Sequence, residues 1–236
     1  MRQRIRKGIL IFSLLMFPLT FFFLSPAVIV MAARDGVING SAMVFGVLFI
    51  FSIVCSRVFC GWLCPGGALQ DYAACVNNRN WNSRGKNLSK YIIWVLWLSF
   101  IIFLWMNSSS LKGNIFYLMD IDKHYLIIYA VVITIIYLFT ILTGRRGMCH
   151  SICWMAPFMI LGEKISDLLH IPRFRLKANQ DSCISCGKCS RNCPMGLDVA
   201  TMVKSGSIDS NECISCLECV DSCSKKAISF GICQKR

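Results

Sequence analysis

The chain of 236 residues is short of charge, and of acid above all: 16% of its residues are charged, 12 are Asp or Glu, and three are His. A soluble domain carries about a quarter charged residues, so the composition argues against a water-soluble enzyme. A hydrophobic fraction of 56% rules out a fully disordered chain. No G-x-x-x-x-G-K-[ST] loop, G-x-G-x-x-G turn or H-E-x-x-H helix occurs. Nucleotide hydrolysis, Rossmann cofactor binding and zincin chemistry are therefore unsupported. His124, His150 and His170 are too scattered for a bis-histidine haem, and each reads as an interfacial polar residue.

What is abundant is sulfur and basic charge, with 15 Cys, 25 Lys+Arg and a formal net charge of +13. Secreted disulfide frameworks belong to short polar scaffolds, and 15 is odd, so metal or cluster ligation is the leading account of the cysteines.

Four stretches lack Lys, Arg, Asp and Glu: Ile9 to Ala33, Gly36 to Ser56, Tyr91 to Leu111, and His124 to Gly144. A bilayer core of about 30 Å needs about 20 helical residues, so each is expected to span. The first could also be a signal peptide, because Arg2, Arg4, Arg6 and Lys7 form a basic leader. Its apolar run exceeds the roughly 7 to 15 residues of a signal core, which favours a retained span. No carboxylate lies within a stretch to relay protons, which argues against ion pumping.

Basic residues set the orientation. They cluster before the first stretch, between Arg57 and Lys90, and from Arg145 onward, while only Arg34, Lys112 and Lys123 lie on the opposite side. The positive-inside rule then places both termini in the cytoplasm, in a multi-pass inner-membrane protein. With no basic helix or aromatic platform to read bases, nucleic acid is not an expected partner. Anionic lipid headgroups and an acidic redox partner are.

After the last stretch the cysteines fall into two runs of one spacing. These are Cys183-x2-Cys186-x2-Cys189-x3-Cys193-Pro194 and Cys213-x2-Cys216-x2-Cys219-x3-Cys223-Ser224. Three cysteines in a tight loop reach three irons of a cubane, and in two-cluster domains the fourth crosses to the other cluster. The expected quartets are Cys183, Cys186, Cys189 with Cys223, and Cys213, Cys216, Cys219 with Cys193. Zinc is the alternative for paired C-x2-C motifs, but it explains neither the third nor the fourth cysteine of each run. Ser182 to Phe230 resembles a bacterial-type dicluster ferredoxin domain, which implies a small pseudo-symmetric α+β module moving single electrons. Ser224 departs from that pattern where proline is usual.

The membrane half repeats itself. Cys60-x3-Cys64-Pro65 follows the second stretch and Cys149-x3-Cys153 follows the fourth, with Arg57 and Arg146 each three residues before the first cysteine. Brought together by a four-helix bundle, Cys60, Cys64, Cys149 and Cys153 would hold a third cluster at the membrane surface. The alternatives are buried packing cysteines or a zinc clip. Cys55, Cys75 and Cys233 lack partners at matching spacing and read as packing residues.

Phe59-Cys60-Gly61-Trp62-Leu63-Cys64-Pro65-Gly66-Gly67, with the later C-x3-C and the two ferredoxin runs, resembles the NapH-like polytopic 4Fe-4S membrane proteins, and more distantly the CcoG-like proteins, over nearly the whole chain. In the second pair the proline is displaced to Pro157. The resemblance implies passage of electrons between the quinone pool or a soluble donor and a partner protein.

The expected fold is thus an α-helical membrane protein with four transmembrane helices in an internal two-helix repeat and a small α+β ferredoxin-like C-terminal domain. Residues 1–154 would form the membrane domain, 155–181 an amphipathic interfacial helix and linker, and 182–236 the dicluster domain. In the linker, Leu161, Ile165, Leu168 and Leu169 share one helical face, opposite Glu163, Ser166, Asp167 and His170, and Pro172 ends the helix. The expected function is a membrane-anchored iron-sulfur electron-transfer subunit linking cytoplasmic redox partners to a quinone or membrane partner, rather than a self-contained enzyme. An assembly or metal-reduction factor and a membrane redox sensor are the alternatives.

Overall fold

A computed structural model describes residues 1–79, 88–108, 111–117 and 123–234. Arg84, Lys86, Lys235, Arg236 and the side chains of Lys123 and His124, all used in the orientation or histidine arguments, lie outside the described residues.

The first apolar stretch, expected as one helix, is three: α1 (Arg2–Leu15), α2 (Phe17–Leu24) and α3 (Pro26–Arg34). Prolines cause the breaks. Pro18 and Pro26 sit in the first turns of α2 and α3, where the missing N–H costs nothing, and Ser25 before Pro26 is extended. α1 and α2 are bent by 80°. α1 turns Arg6 and Leu10 inward and leaves Arg4, Lys7, Ile11 and Leu15 exposed.

Strand β1 (Val37–Asn39) leads to α4 (Gly40–Cys55), whose first turn is capped by the Asn39 side chain accepting from the Ala42 N–H. Two short helices follow, α5 (Val58–Trp62) and α6 (Pro65–Ala73). Next come α7 (Leu88–Met106), β2 (Lys112–Asn114) and α8 (Lys123–Thr143), then α9 (Gly147–Ser151) and α10 (Met155–Leu168). β1 and β2 pair in parallel and tie the two loops at the end opposite the cysteine motifs.

Among the described residues two helices are long and apolar enough to cross a membrane, α7 and α8, and a third crossing arises if the bent pair α1 and α2 is one span. α4 has 16 residues, fewer than the expected span. Outward faces are mostly apolar: Val47, Ile50 and Val54 on α4, Leu96 and Phe103 on α7, Ile127, Ile135 and Leu142 on α8 are all exposed. Apolar area on this scale is rare on proteins that meet only water.

The repeat is visible in the packing. α6, which follows the first cysteine pair, packs on α8, which precedes the second, while α10, which follows the second, packs on α4, which precedes the first. Gly162 makes the α10–α4 contact possible, because a Cβ there would stand 2.9 Å from the Phe49 carbonyl oxygen. The amphipathic helix expected in the linker forms as α10, with Leu161, Leu168 and Leu169 exposed. Its other face, read as solvated, is buried at Glu163 and Ser166, where Arg173 pairs with Glu163 at 3.3 Å.

Beyond α10, strand β3 (Arg173–Ala178) pairs antiparallel with β4 (Ile228–Cys233), from Arg173 opposite Cys233 to Ala178 opposite Ile228. β3 thereby joins part of the segment expected as linker to the C-terminal module. Between them lie α11 (Lys188–Arg191), α12 (Val199–Lys204) and α13 (Glu218–Ser222).

Candidate iron-sulfur centres

In the C-terminal module the cysteines of each run sit on a loop that turns into a short helix. Ser185 and Gly187 before α11, and Ser215 and Leu217 before α13, have φ of 57°, 69°, 49° and 64°. Such left-handed residues turn successive N–H groups to one side, a nest suited to the sulfurs of an anionic cluster. Gly187 adopts this geometry without steric cost, whereas Leu217 does so under strain.

Two cavities occupy the module. One is lined by Cys183, Cys186, Cys189 and Cys223 with Val203, Ala227 and Ile228, the other by Cys193, Cys213, Cys216 and Cys219 with Leu176, Met195 and Val199. The two are of similar size. Each gathers three cysteines of one run and the fourth of the other. Among the described residues no three acidic, His or Cys side chains converge tightly enough for a single metal ion. The thiols instead stand around a space, as a group several atoms across demands.

The membrane-side pairs form a matched local structure. Cys60 lies in α5 and Cys149 in α9, and in both the peptide N–H groups of the last two residues of the motif donate to one carbonyl: Leu63 and Cys64 to Phe59, Ile152 and Cys153 to Met148. Leu63 and Ile152 share a backbone conformation, φ −124°, ψ −16° against φ −125°, ψ −19°. The four thiols are within electrostatic reach of one another: Cys64 is influenced by Cys60, Cys149 and Cys153, and Cys149 by Cys153 and Cys60. Gln70 Nε2 donates to Cys149 Sγ at 3.2 Å.

Burial disfavours the charged form of these thiols. It pushes Cys149 and Cys213 up to about 12 and Cys216 up to about 11, opposed by Arg146 at Cys149, by the Ser215 backbone at Cys213, and by the Glu218 backbone, Arg6 and Arg146 at Cys216. Such thiols stay protonated at neutral pH unless a metal replaces the proton. All 12 motif cysteines are unpaired, so the donors suit iron-sulfur ligation. Of the three cysteines read as packing residues, Cys55 and Cys233 are half-buried and Cys75 is exposed.

The third quartet abuts the second. Cys60, Cys149 and Met159 share one apolar cluster with Cys193, Cys216 and Cys219. Gly61, next to Cys60, faces the Ile214–Cys216 loop so closely that a Cβ would stand 2.3 Å from the Ile214 carbonyl oxygen. Trp62 Nε1 donates to the Ser215 carbonyl at 3.1 Å, and Gln3 Nε2 to that of Cys216 at 3.1 Å.

Buried ion pairs fix this seam, and sequence reasoning missed them. Arg57 Nη1 donates to the Asn211 carbonyl at 2.7 Å and approaches Glu212, which Lys90 also pairs. His150, expected to be interfacial, is buried instead: its Nε2 lies 3.0 Å from the Met195 carbonyl oxygen and its Nδ1 3.6 Å from Glu212. Burial takes its pKa down to about 4, although Glu212 opposes this, so the ring is neutral at physiological pH. Arg6 reaches Asp71 and Glu218, and at the exposed rim Arg2 pairs with Asp221. Only Arg57 and Arg146 were marked by the repeat. The carboxylates carried no signal, because each is isolated in sequence from its partner.

Comparisons agree with these motifs. A 4Fe-4S binding domain family matches residues 40–84, and a 4Fe-4S dicluster domain family matches residues 175–224. Among similar proteins are YccM of Escherichia coli (strain K12), a provisionally assigned electron transport protein, 27% identical over 79% of this chain and 54% of YccM, and the ferredoxin-type protein NapH of Haemophilus influenzae, 27% identical over 78% of this chain and 66% of NapH. The methylamine utilization ferredoxin-type protein MauN of Methylobacillus flagellatus is 28% identical over 66% of this chain and 53% of MauN. The chain thus spans about half to two thirds of these relatives' own length. No solved structure is similar.

Proposed function

We propose that this NapH-like 4Fe-4S protein is a membrane-anchored electron-transfer subunit with three iron-sulfur centres on the cytoplasmic side of the inner membrane. The observation that carries the reading is the grouping of 12 cysteines into three quartets, with Gly61 joining the third to the second. Clusters bound there supply one-electron carriers. The chain's own residues hold and align them.

The order we infer runs from the Cys183 quartet, through the Cys213 quartet with Cys193, to Cys60, Cys64, Cys149 and Cys153. Cys219 is influenced by both Cys213 and Cys189, which supports adjacency of the first two. Arg57 and Arg146 stay charged and lie beside Cys60, offsetting negative charge at the membrane-side site. Trp62, Gln3 and Arg6 close the seam against water by donating to Ser215, Cys216 and Gly61 carbonyls.

In the membrane we place four crossings. α2 and α3 together make the first, with α1 lying along the cytoplasmic surface, and α4, α7 and α8 make the others. The α1 packing on α6 and its ion pairs to the C-terminal module support this placement. Residues 182–236 form the dicluster domain, to which β3 adds a strand. A redox partner in the membrane, a quinone among the candidates, is the other terminus.

Anaerobic purification with iron and sulfide quantification tests the reading. Three cubanes require about twelve irons per chain, and about eight would remove the membrane-side centre. Cys60→Ser should lose one EPR signal and spare two.

A further inference from the structure

The two quartets of the C-terminal module differ in their surroundings. Around the second, Cys193, Cys216 and Cys219 are buried, and the membrane half covers it at Gly61 and Cys60. The first opens outward. Cys186 is exposed, Ile184 beside it is 60% exposed, and the cavity is lined by module residues alone.

Charge in the module is segregated in the same sense. Its carboxylates after Ser182 are Asp198, Asp209, Glu212, Glu218 and Asp221. Glu212, Glu218 and Asp221 are taken up by Arg57 and Lys90, Arg6, and Arg2 of the membrane half. Asp209 lines a cleft with Ser56 and Glu163 of that half, and Asp198 caps α12 by accepting from the Thr201 N–H. None of the five lines the Cys183 cavity, whose rim carries exposed Lys188 and Lys225, followed by exposed Lys226. Exposed Arg191 ends the helix that Lys188 begins. Asp181, at the start of the loop, is the acidic residue nearest in sequence.

We propose that the face around Cys186 is a docking surface for an acidic electron-carrier protein, one with carboxylates ringing its own redox centre. Lys188, Lys225, Lys226 and Arg191 would meet that ring, and Ile184 would supply a small apolar centre. This rests on the reading of the quartets as cluster sites. The exchange is of one electron: the carrier's centre loses or gains it as the group held by the Cys183 quartet gains or loses it, and no bond or proton moves. A cationic rim steers an acidic partner and makes association salt-dependent, as suits a small, transient redox interface.

The full chain in detergent, with an acidic bacterial ferredoxin as probe, tests the proposal. Binding by calorimetry should weaken steeply from low to high salt. The combined change Lys188→Glu, Lys225→Glu and Lys226→Glu should weaken it at least about tenfold at low salt and flatten the salt dependence. Lys164→Glu on α10, away from the rim, should not. Reduction by methyl viologen radical, a small cation, should survive in the triple variant, with iron content unchanged. Unaltered ferredoxin affinity in an iron-replete triple variant would overturn the docking face and leave the cluster reading standing. Rim-dependent binding by a chain without iron would do the reverse. Loss of binding to phosphatidylglycerol vesicles with ferredoxin affinity intact would make the face a lipid surface and overturn the proposal as well.

Discussion

Arg146 grips Asp71 through both carboxylate oxygens, at 2.6 and 2.8 Å, and its third nitrogen donates to the Cys60 carbonyl at 2.8 Å. One guanidinium thus joins the second repeat to the first beside Cys60. Burial alone would raise the Asp71 carboxyl, but Arg146 and Arg6 outweigh it and hold it below the usual carboxylate range. Asp71→Asn would strand a guanidinium only 1% exposed, at a cost of about 3–5 kcal/mol. Thermal unfolding of the solubilised chain should show this, and Asp71→Leu with Arg146→Met should recover much of it. A single variant as stable as the parent would remove the clamp from the account.

Glu212 answers Arg57 and Lys90 at once. Replacing it with Gln should loosen the C-terminal module from the membrane half more than it disturbs the module's own cysteine loops. Limited proteolysis should then release a fragment beginning near β3 that keeps its iron. Protection equal to the parent's would show that the seam does not depend on this carboxylate.

Gly61→Val is expected to push the Ile214–Cys216 loop away, at about 1–3 kcal/mol. Iron content should hold, while electron exchange between the membrane-side centre and the module slows, as rapid-freeze EPR would record. Unchanged exchange would place the route elsewhere.

Reporter insertions separate the proposed crossings from a surface-bound arrangement. A reporter active only outside the cytoplasm should work after Lys112 in β2 and fail after Asn78. The same outcome at both positions would contradict the topology.

Much of the candidate site was legible because cysteine spacing encodes loop geometry directly: the runs from Cys183 and Cys213 line two cavities in the groupings their spacing suggested, and the repeat from Arg57 and Arg146 folds into matched helices. The first apolar stretch was harder. Hydropathy runs unbroken through Ile9 to Ala33, yet Pro18 and Pro26 divide it, because local backbone chemistry overrides a uniform apolar pattern. His150 and Glu163 read as surface residues and Glu212 carried no signal at all, since a polar side chain discloses its burial only through a partner far away in sequence.

The bond from Arg2 to Asp221 spans 219 residues. During synthesis Arg2 leaves the ribosome long before Asp221 exists, so α1 cannot fasten the cysteine-bearing module until Asp221 has been made. The loop that carries Cys216 therefore stays open on that side until then, and the docking of α1, through Gln3 on the Cys216 carbonyl and Arg6 on Glu218, is the step that closes it.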